Sequence, residues 1–153
     1  MDSYIGLYNR DDLNTMKLAQ TCKSTGASRI EEIKRFAIQA GYKKIGIAYC
    51  VSVSKYAELL EDYLKDTFEV IKIDCRCGKI PSSEFVSGGK GLSCNPAGQA
   101  KILEENDTDF NIVMGLCLGH DIIFNNKSKA PTTTLFVKDR TNNHNTIEGF
   151  NNL

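Results

Sequence analysis

Four short apolar runs, set between segments of helical spacing, constrain this chain more than any other feature. Lys44-Ile-Gly-Ile-Ala-Tyr49, Phe68-Glu-Val-Ile-Lys-Ile73, Phe110-Asn-Ile-Val-Met-Gly115 and Thr132-Thr-Thr-Leu-Phe-Val137 each have the length of a strand. Runs of this kind suit strands buried on both faces of a parallel sheet. Between them lie helical segments. Arg10 to Lys23 steps through Leu13 and Met16, with Asp11 or Asp12 placed to cap it. Ser28-Arg-Ile-Glu31 is a capping box ahead of an apolar stripe of Ile30, Ile33, Phe36, Ala37 and Ala40, and Gly41 is a natural stop. Ser52 or Ser54 can open a helix that reaches Lys65. Asn95-Pro96 opens another that ends near Asn106, since asparagine caps and proline lacks only an N–H that the first turn does not use. His120 to Asn125 is long enough for one or two helical turns.

Strands alternating with helices predict an α/β fold: a three-layer sandwich with a mostly parallel, Rossmann-like sheet of about four strands and helices on both faces. With 153 residues the chain is expected to be a single domain, 1–153, ending in a polar, asparagine-rich tail from about residue 141. Right-handed crossovers place all the strand C-terminal ends along one edge, where ligands of such sheets bind. The connection from Asp74 to Ser93, with Pro81, Gly88, Gly89 and Gly91, is long enough to be functional or mobile.

Composition narrows the functional classes. Nineteen basic residues balance nineteen acidic ones, so the basic excess that drives binding to nucleic acid is absent. No apolar run reaches the length of a membrane span, and Met-Asp-Ser-Tyr is unlike a signal peptide. The expectation is a cytoplasmic protein without nucleic-acid or membrane partners, open to a small-molecule or electron-transfer partner and to self-association.

Cysteine is the unusual entry. There are six, and reduced cytosolic thiols serve as core filler, metal ligands or redox groups. No Cys-x-x-Cys knuckle is present, and Cys75-x-Cys77 is a weak signal by itself. Position is more telling. Cys50 follows the first strand, Cys75 and Cys77 the second and Cys117 the third, while Cys94 stands just before the Asn95-Pro96 helix start. Topology should therefore gather them at one edge. For any one cysteine, packing as a small hydrophobe is the ordinary role, and it is the role expected of Cys22. As a set, Cys50, Cys75, Cys94 and Cys117, with His120 to supply or replace a ligand, suit zinc, iron or an iron–sulfur cluster. Cys77 is open between ligand, resolving thiol and loop residue.

Other features are weaker. Gly88-Gly-Lys-Gly91 lacks the full phosphate-loop spacing and reads as a loop. Lys138-Asp-Arg140 follows the fourth strand, so Lys138 and Arg140 can hold an anion or simply end the strand in solvent. Asp121 can orient His120 or cap the next turn. His144 lies in the polar tail and is expected to be exposed.

Several motifs occur in one order: Gly41-Tyr-Lys-Lys-Ile-Gly-Ile-Ala-Tyr-Cys50, Cys94-Asn-Pro-Ala-Gly-Gln-Ala100, Gly115-Leu-Cys-Leu-Gly-His-Asp121, Ser128-Lys-Ala-Pro131 and Val137-Lys-Asp-Arg140 with His144-Asn145. Together they resemble a family of uncharacterised proteins labelled metal-binding, a domain of unknown function of the DUF 1847 type, met mostly in archaea and anaerobic bacteria. The resemblance spans about Ser28 to Asn145 and points to Cys50, Cys75, Cys94, Cys117, His120 and Asp121. Cys77 stands where the family pattern has another residue. The cysteine-rich opening segment of many members is absent before Cys22. The family carries no agreed activity.

Three functions follow as expectations. The first is a metal or iron–sulfur centre at the strand edge with a redox or metal-handling role. The second is a cysteine-dependent redox or hydrolytic enzyme, with Cys117 or Cys94 as the reactive thiol, His120 as base and Asp121 orienting it. The third is a metal-free module that holds a small anion with Lys138, Arg140 and helix N-termini.

Overall fold

The structure, a computed structural model, describes residues 4–23 and 26–153. The sequence places a break at Ser24-Thr25-Gly26 between the first two helical segments, and Ser24 and Thr25 lie outside the described residues. Contacts divide the chain into two compact units, Met1–Tyr42 and Lys43–Leu153.

The first unit holds helices α1 (Arg10–Cys22) and α2 (Arg29–Gln39), which pack on each other. Asn9, not Asp11 or Asp12, caps α1. Its Oδ1 accepts from Asp11 N and Asp12 N, and Asp12 completes a capping box by accepting from Asn9 N. Ser28 and Glu31 form the box that opens α2. Gly41 ends it in the left-handed region at φ +75°. Cys22, Ile33 and Ala37 are buried.

The second unit holds the sheet. Its strands β1 (Lys44–Tyr49), β2 (Glu69–Asp74), β3 (Phe110–Met114) and β4 (Thr132–Phe136) lie in the order β2-β1-β3-β4, all parallel. The connecting helices are α3 (Ser54–Leu64), α4 (Pro96–Glu105) and α5 (His120–Lys127). The chain steps one way from β1 to β2 and the other way from β2 to β3 and β4. Right-handed crossovers therefore put α3 on one face and α4 with α5 on the other, and α4 and α5 pack together. This is the expected α/β architecture. Neither Ser52 nor Ser54 caps α3. Val53 occupies the cap position without a side-chain bond, and Ser54 Oγ donates back to Val51 O.

The central strands bury Ile45, Ile47, Ala48, Ile112, Val113 and Met114. α3 adds Ala57, Leu60 and Leu64, α4 adds Ala100 and Leu103, and α5 adds Phe124. Each large side chain taken from water in this way contributes about 1.5–3 kcal/mol, and truncating Leu103 to alanine should cost about 2–5 kcal/mol. One polar side chain lies in the middle. Asn111 Oδ1 accepts from Thr108 Oγ1 and its Nδ2 donates to Ser128 Oγ, both at 2.9 Å, so its burial is satisfied. Gly46 stands opposite in the ladder, and a Cβ there would lie 2.1 Å from Asn111 Oδ1. Glycine is required at that position by space rather than by backbone angle. No helix among the described residues is long and apolar enough to cross a membrane.

Candidate functional site

The β1/β2 ladder brings two of the cysteines together. Its last register pair is Tyr49 with Asp74, so Cys50 and Cys75 are the next residues on the two strands. Both are buried, Cys50 with 6% of its surface exposed and Cys75 with 2%. Cys50 N donates to Met114 O, which ties it to the end of β3 as well. Its sulfur accepts from Ser52 Oγ at 3.3 Å, and Ser52 Oγ accepts in turn from Lys138 Nζ beyond β4.

The two thiols compete for one proton. The Cys75 S–H donates to the Cys50 sulfur and holds the Cys50 thiol well below its usual range. The Ser52 hydroxyl, the Ser52 N–H and Lys138 assist, against the opposing effect of burial. The Cys75 thiol is pushed up in consequence, by the Cys50 sulfur first and by burial second. Cys50 is the partner that ionises because it alone has the hydroxyl and the ammonium beside it. A third thiol extends the chain, since Cys94 Sγ lies 3.6 Å from Cys75 Sγ. The order is Cys94, Cys75, Cys50, with the lowered thiol at the Cys50 end.

Asn95 fixes this arrangement. Its N–H donates to Cys75 O at 2.7 Å, its Nδ2 donates to Cys77 O at 3.1 Å, and its Oδ1 caps α4 by accepting from Gly98 N at 2.8 Å. Cys77 Sγ lies 3.6 Å from Asn95 O, and burial pushes its thiol up, so Cys77 is a structural donor here. Both ends of the long connection after β2 are thus held by one residue. The connection closes on itself through the Pro81–Leu92 bridge, with Ser82 N on Gly91 O and Ser93 N on Ile80 O.

Gln99 supplies a further brace that the sequence reading did not single out. It is fully buried, and its Nε2 donates to Tyr49 O at 3.1 Å and to Ile73 O at 2.9 Å. These carbonyls stand one residue before Cys50 and two before Cys75. Gln99 Oε1 has no partner. The signal was available: Pro96, Gln99, Ala100 and Leu103 share the buried stripe of α4, and Gln99 is the one polar member.

The remaining predicted residues lie differently. Gly115, at φ +57°, turns the chain out of β3. Cys117 O then accepts from His120 N and Asp121 N. The Asp121 carboxylate accepts from Gly119 N and Ile122 N within the first turn of α5 and makes no bond to His120, while Gly119 holds the cap position without a side-chain bond. Among the described residues the His120 ring has no hydrogen-bond partner. Cys117 Sγ accepts from Arg140 Nη2 at 3.5 Å and touches none of the other thiols through a hydrogen bond. Lys138 and Arg140 therefore both reach the edge, one through Ser52 and one on Cys117. His144, expected in solvent, is half-buried. Its Nδ1 accepts from Asp139 N, and its ring lies 5.6 Å from that of Phe136.

As a donor set for metal, Cys50, Cys75 and Cys94 form a line of thiols sharing protons, while Cys117 and His120 stand outside it. No group of three or more His, Cys, Asp or Glu side chains among the described residues is arranged to hold a metal ion.

The sequence pattern of a family described as a protein of unknown function (DUF1847) matches residues 3–135. An uncharacterised protein of Methanocaldococcus jannaschii is 48% identical over 124 residues, which is 78% of this chain. The chain spans 64% of the length of that relative. No solved structure matches it.

Proposed function

The chain belongs to the DUF1847 family, which carries no assigned activity, and from that premise we propose that it acts through its clustered cysteines as a thiol-redox protein. The observation that carries this reading is the meeting of Cys50 and Cys75 at the matched ends of β1 and β2, with the Cys94 sulfur 3.6 Å from that of Cys75. A thiolate is the nucleophile in sulfur exchange, and a neighbouring thiol is what resolves the product. Cys50 attacks one sulfur of a substrate disulfide. The substrate S–S bond breaks, a mixed disulfide forms on Cys50, and one substrate thiolate leaves. Cys75 then loses its proton to solvent and attacks the Cys50 sulfur, which releases the second thiolate and leaves a Cys50–Cys75 disulfide. Two electrons pass from the dithiol to the substrate. Neighbouring strands lie about 4.8 Å apart, inside the roughly 4.4–6.8 Å between Cα atoms that a disulfide spans. Cys94 can take over the bond to Cys75 by a second exchange.

The test is equilibration of the protein in glutathione buffers of graded potential under argon, followed by mass-spectrometric mapping. A disulfide joining Cys50 or Cys94 to Cys75, with a single midpoint, supports the reading. Six free thiols at every potential would overturn it.

A second reading has its own support. Two thiolates on a tetrahedral zinc ion, each at about 2.3 Å, lie roughly 3.8 Å apart, close to the Cys75–Cys94 separation of 3.6 Å. A soft ion held by Cys50, Cys75 and Cys94 needs the remaining protons to leave and a further donor to join. Elemental analysis of untagged protein purified without oxygen separates the two. Stoichiometric metal that Cys75→Ser abolishes and Cys22→Ser retains would favour the metal.

A further inference from the structure

We propose that the substrate is an anion: a small disulfide bearing a carboxylate or similar oxyanion near its S–S bond, received by Arg140 while Cys50 attacks. This rests on the thiol-redox reading above. The argument is one of charge at the β1, β3 and β4 ends. Lys138 bonds Ser52, which bonds the Cys50 sulfur, so its charge is matched by that thiolate. Arg140 bonds the Cys117 sulfur with one nitrogen and is otherwise exposed. None of the ion pairs among the described residues includes Lys138 or Arg140.

The acids near the edge are committed elsewhere. Asp74 pairs in register with Tyr49, so it points to the opposite face from Cys50 and Cys75, and it accepts from Arg76 N. Asp121 is taken by Gly119 N and Ile122 N, and Asp139 by the N–H and side-chain amide of Asn142. None of these carboxylates pairs with Arg140, so its guanidinium charge has no anionic side-chain partner among the described residues. That charge is also held in place. Lys138 N donates to Leu116 O, His144 N donates to Asp139 O at 2.7 Å, and His144 Nδ1 accepts from Asp139 N. Arg140 thus sits in a turn closed by Asp139 and His144. A guanidinium offers five N–H groups in a fixed fork that matches a carboxylate, and most of that fork is unused here. An anionic substrate supplies the missing partner for that fork, and the same cation stabilises the thiolate that departs.

Stopped-flow reaction of the full-length reduced protein with two aromatic disulfides tests this. One is the dianionic disulfide of thionitrobenzoate and the other the neutral disulfide of thiopyridine. Each rate is divided by that of free 2-mercaptoethanol, and the first cysteine modified is located by mass spectrometry. The expected result is modification at Cys50 with a normalised preference for the dianion of about tenfold, weakening as salt is raised. Arg140→Gln should remove most of that preference while the neutral reagent still reacts, and Arg140→Lys should restore part of it. Fast reaction at Cys50 without charge preference, or a preference unchanged in Arg140→Gln, overturns the anionic substrate and leaves the redox reading standing. Reaction at Cys50 no faster than the free thiol with either reagent overturns both.

Discussion

The sulfur of Cys94 lies 3.6 Å from the sulfur of Cys75, and Cys75 passes its own hydrogen bond on to Cys50. Three thiols from three separate segments therefore share their protons, and the consequences can be measured.

Alkylation of Cys50 by iodoacetamide should hardly change between about pH 8 and pH 6, where a free thiol loses close to tenfold in rate per unit. Cys75→Ala removes the donor that most lowers the Cys50 thiol and should move the profile back towards that of a free thiol. An unchanged profile would show that Cys75 does not stabilise the thiolate. Linkage gives a matching stability effect. The unfolded chain keeps both protons at neutral pH while the folded pair keeps one. The pair's stabilisation is greatest near about pH 8.5, shrinks as pH falls and is gone below the depressed Cys50 value, while above about pH 8.5 the raised Cys75 thiol acts in the opposite sense. Chemical denaturation of wild type and Cys50→Ser across that window should converge at low pH.

Gln99→Met keeps the volume and removes the donor to Tyr49 O and Ile73 O. Losing both bonds should cost about 1–3 kcal/mol, read as a lower melting temperature. Because those carbonyls precede Cys50 and Cys75, disulfide formation between the two cysteines should also slow. A drop in melting temperature with no change in that rate would make Gln99 a brace for the sheet alone.

Gly98→Ala should destabilise, although alanine is the better helix former by about 1 kcal/mol. A Cβ at Gly98 would fall 2.1 Å from Asn95 Nδ2, so Asn95 must leave its position. Loss of the cap costs about 1 kcal/mol, and the bond to Cys77 O is lost with it. Hydrogen exchange across residues 76–93 should quicken in this variant, and unaltered exchange would show that Asn95 does not hold the connection.

Asp109 staples the start of β1 by accepting from Lys43 N and Lys44 N at 2.7 and 2.8 Å. These N–H groups hold its carboxyl below the usual range. Its stabilisation is present at neutral pH and is lost as pH falls through that lowered value. Asp109→Ala should therefore lower stability at neutral pH and little in strong acid. The group is exposed, so added salt should narrow the difference.

The sheet was legible because its strands are short apolar runs bounded by recognisable helix starts. Lys44–Tyr49 and the Asn95-Pro96 opening are found where the pattern places them. Caps were less legible. Asn9 competes with the aspartates that follow it as a cap, and Val53 holds a cap position with no side-chain bond, so no composition rule marks it. The meeting of Cys50, Cys75 and Cys94 follows from topology, which periodicity can supply. The partners of the loop residues do not follow in that way: Cys117 Sγ accepts from Arg140, and the Asp121 carboxylate accepts from Gly119 N and Ile122 N. Those are matters of ångströms within loops, which strand order does not set. The Asn95 clamp was visible only as a helix cap, because its second role needs Cys77 O brought back from 18 residues away.

The even pairing of β1 with β2 also decides which changes in length this edge can absorb. Residues added within α3 or its flanking turns would lengthen the detour and still return Cys75 beside Cys50. A slip of one residue inside β2 would carry Cys75 to the face that Lys72 and Asp74 now occupy, and the shared proton would lose one of its two sulfurs. Insertions between the strands are thus chemically silent, and a single deletion within β2 is not.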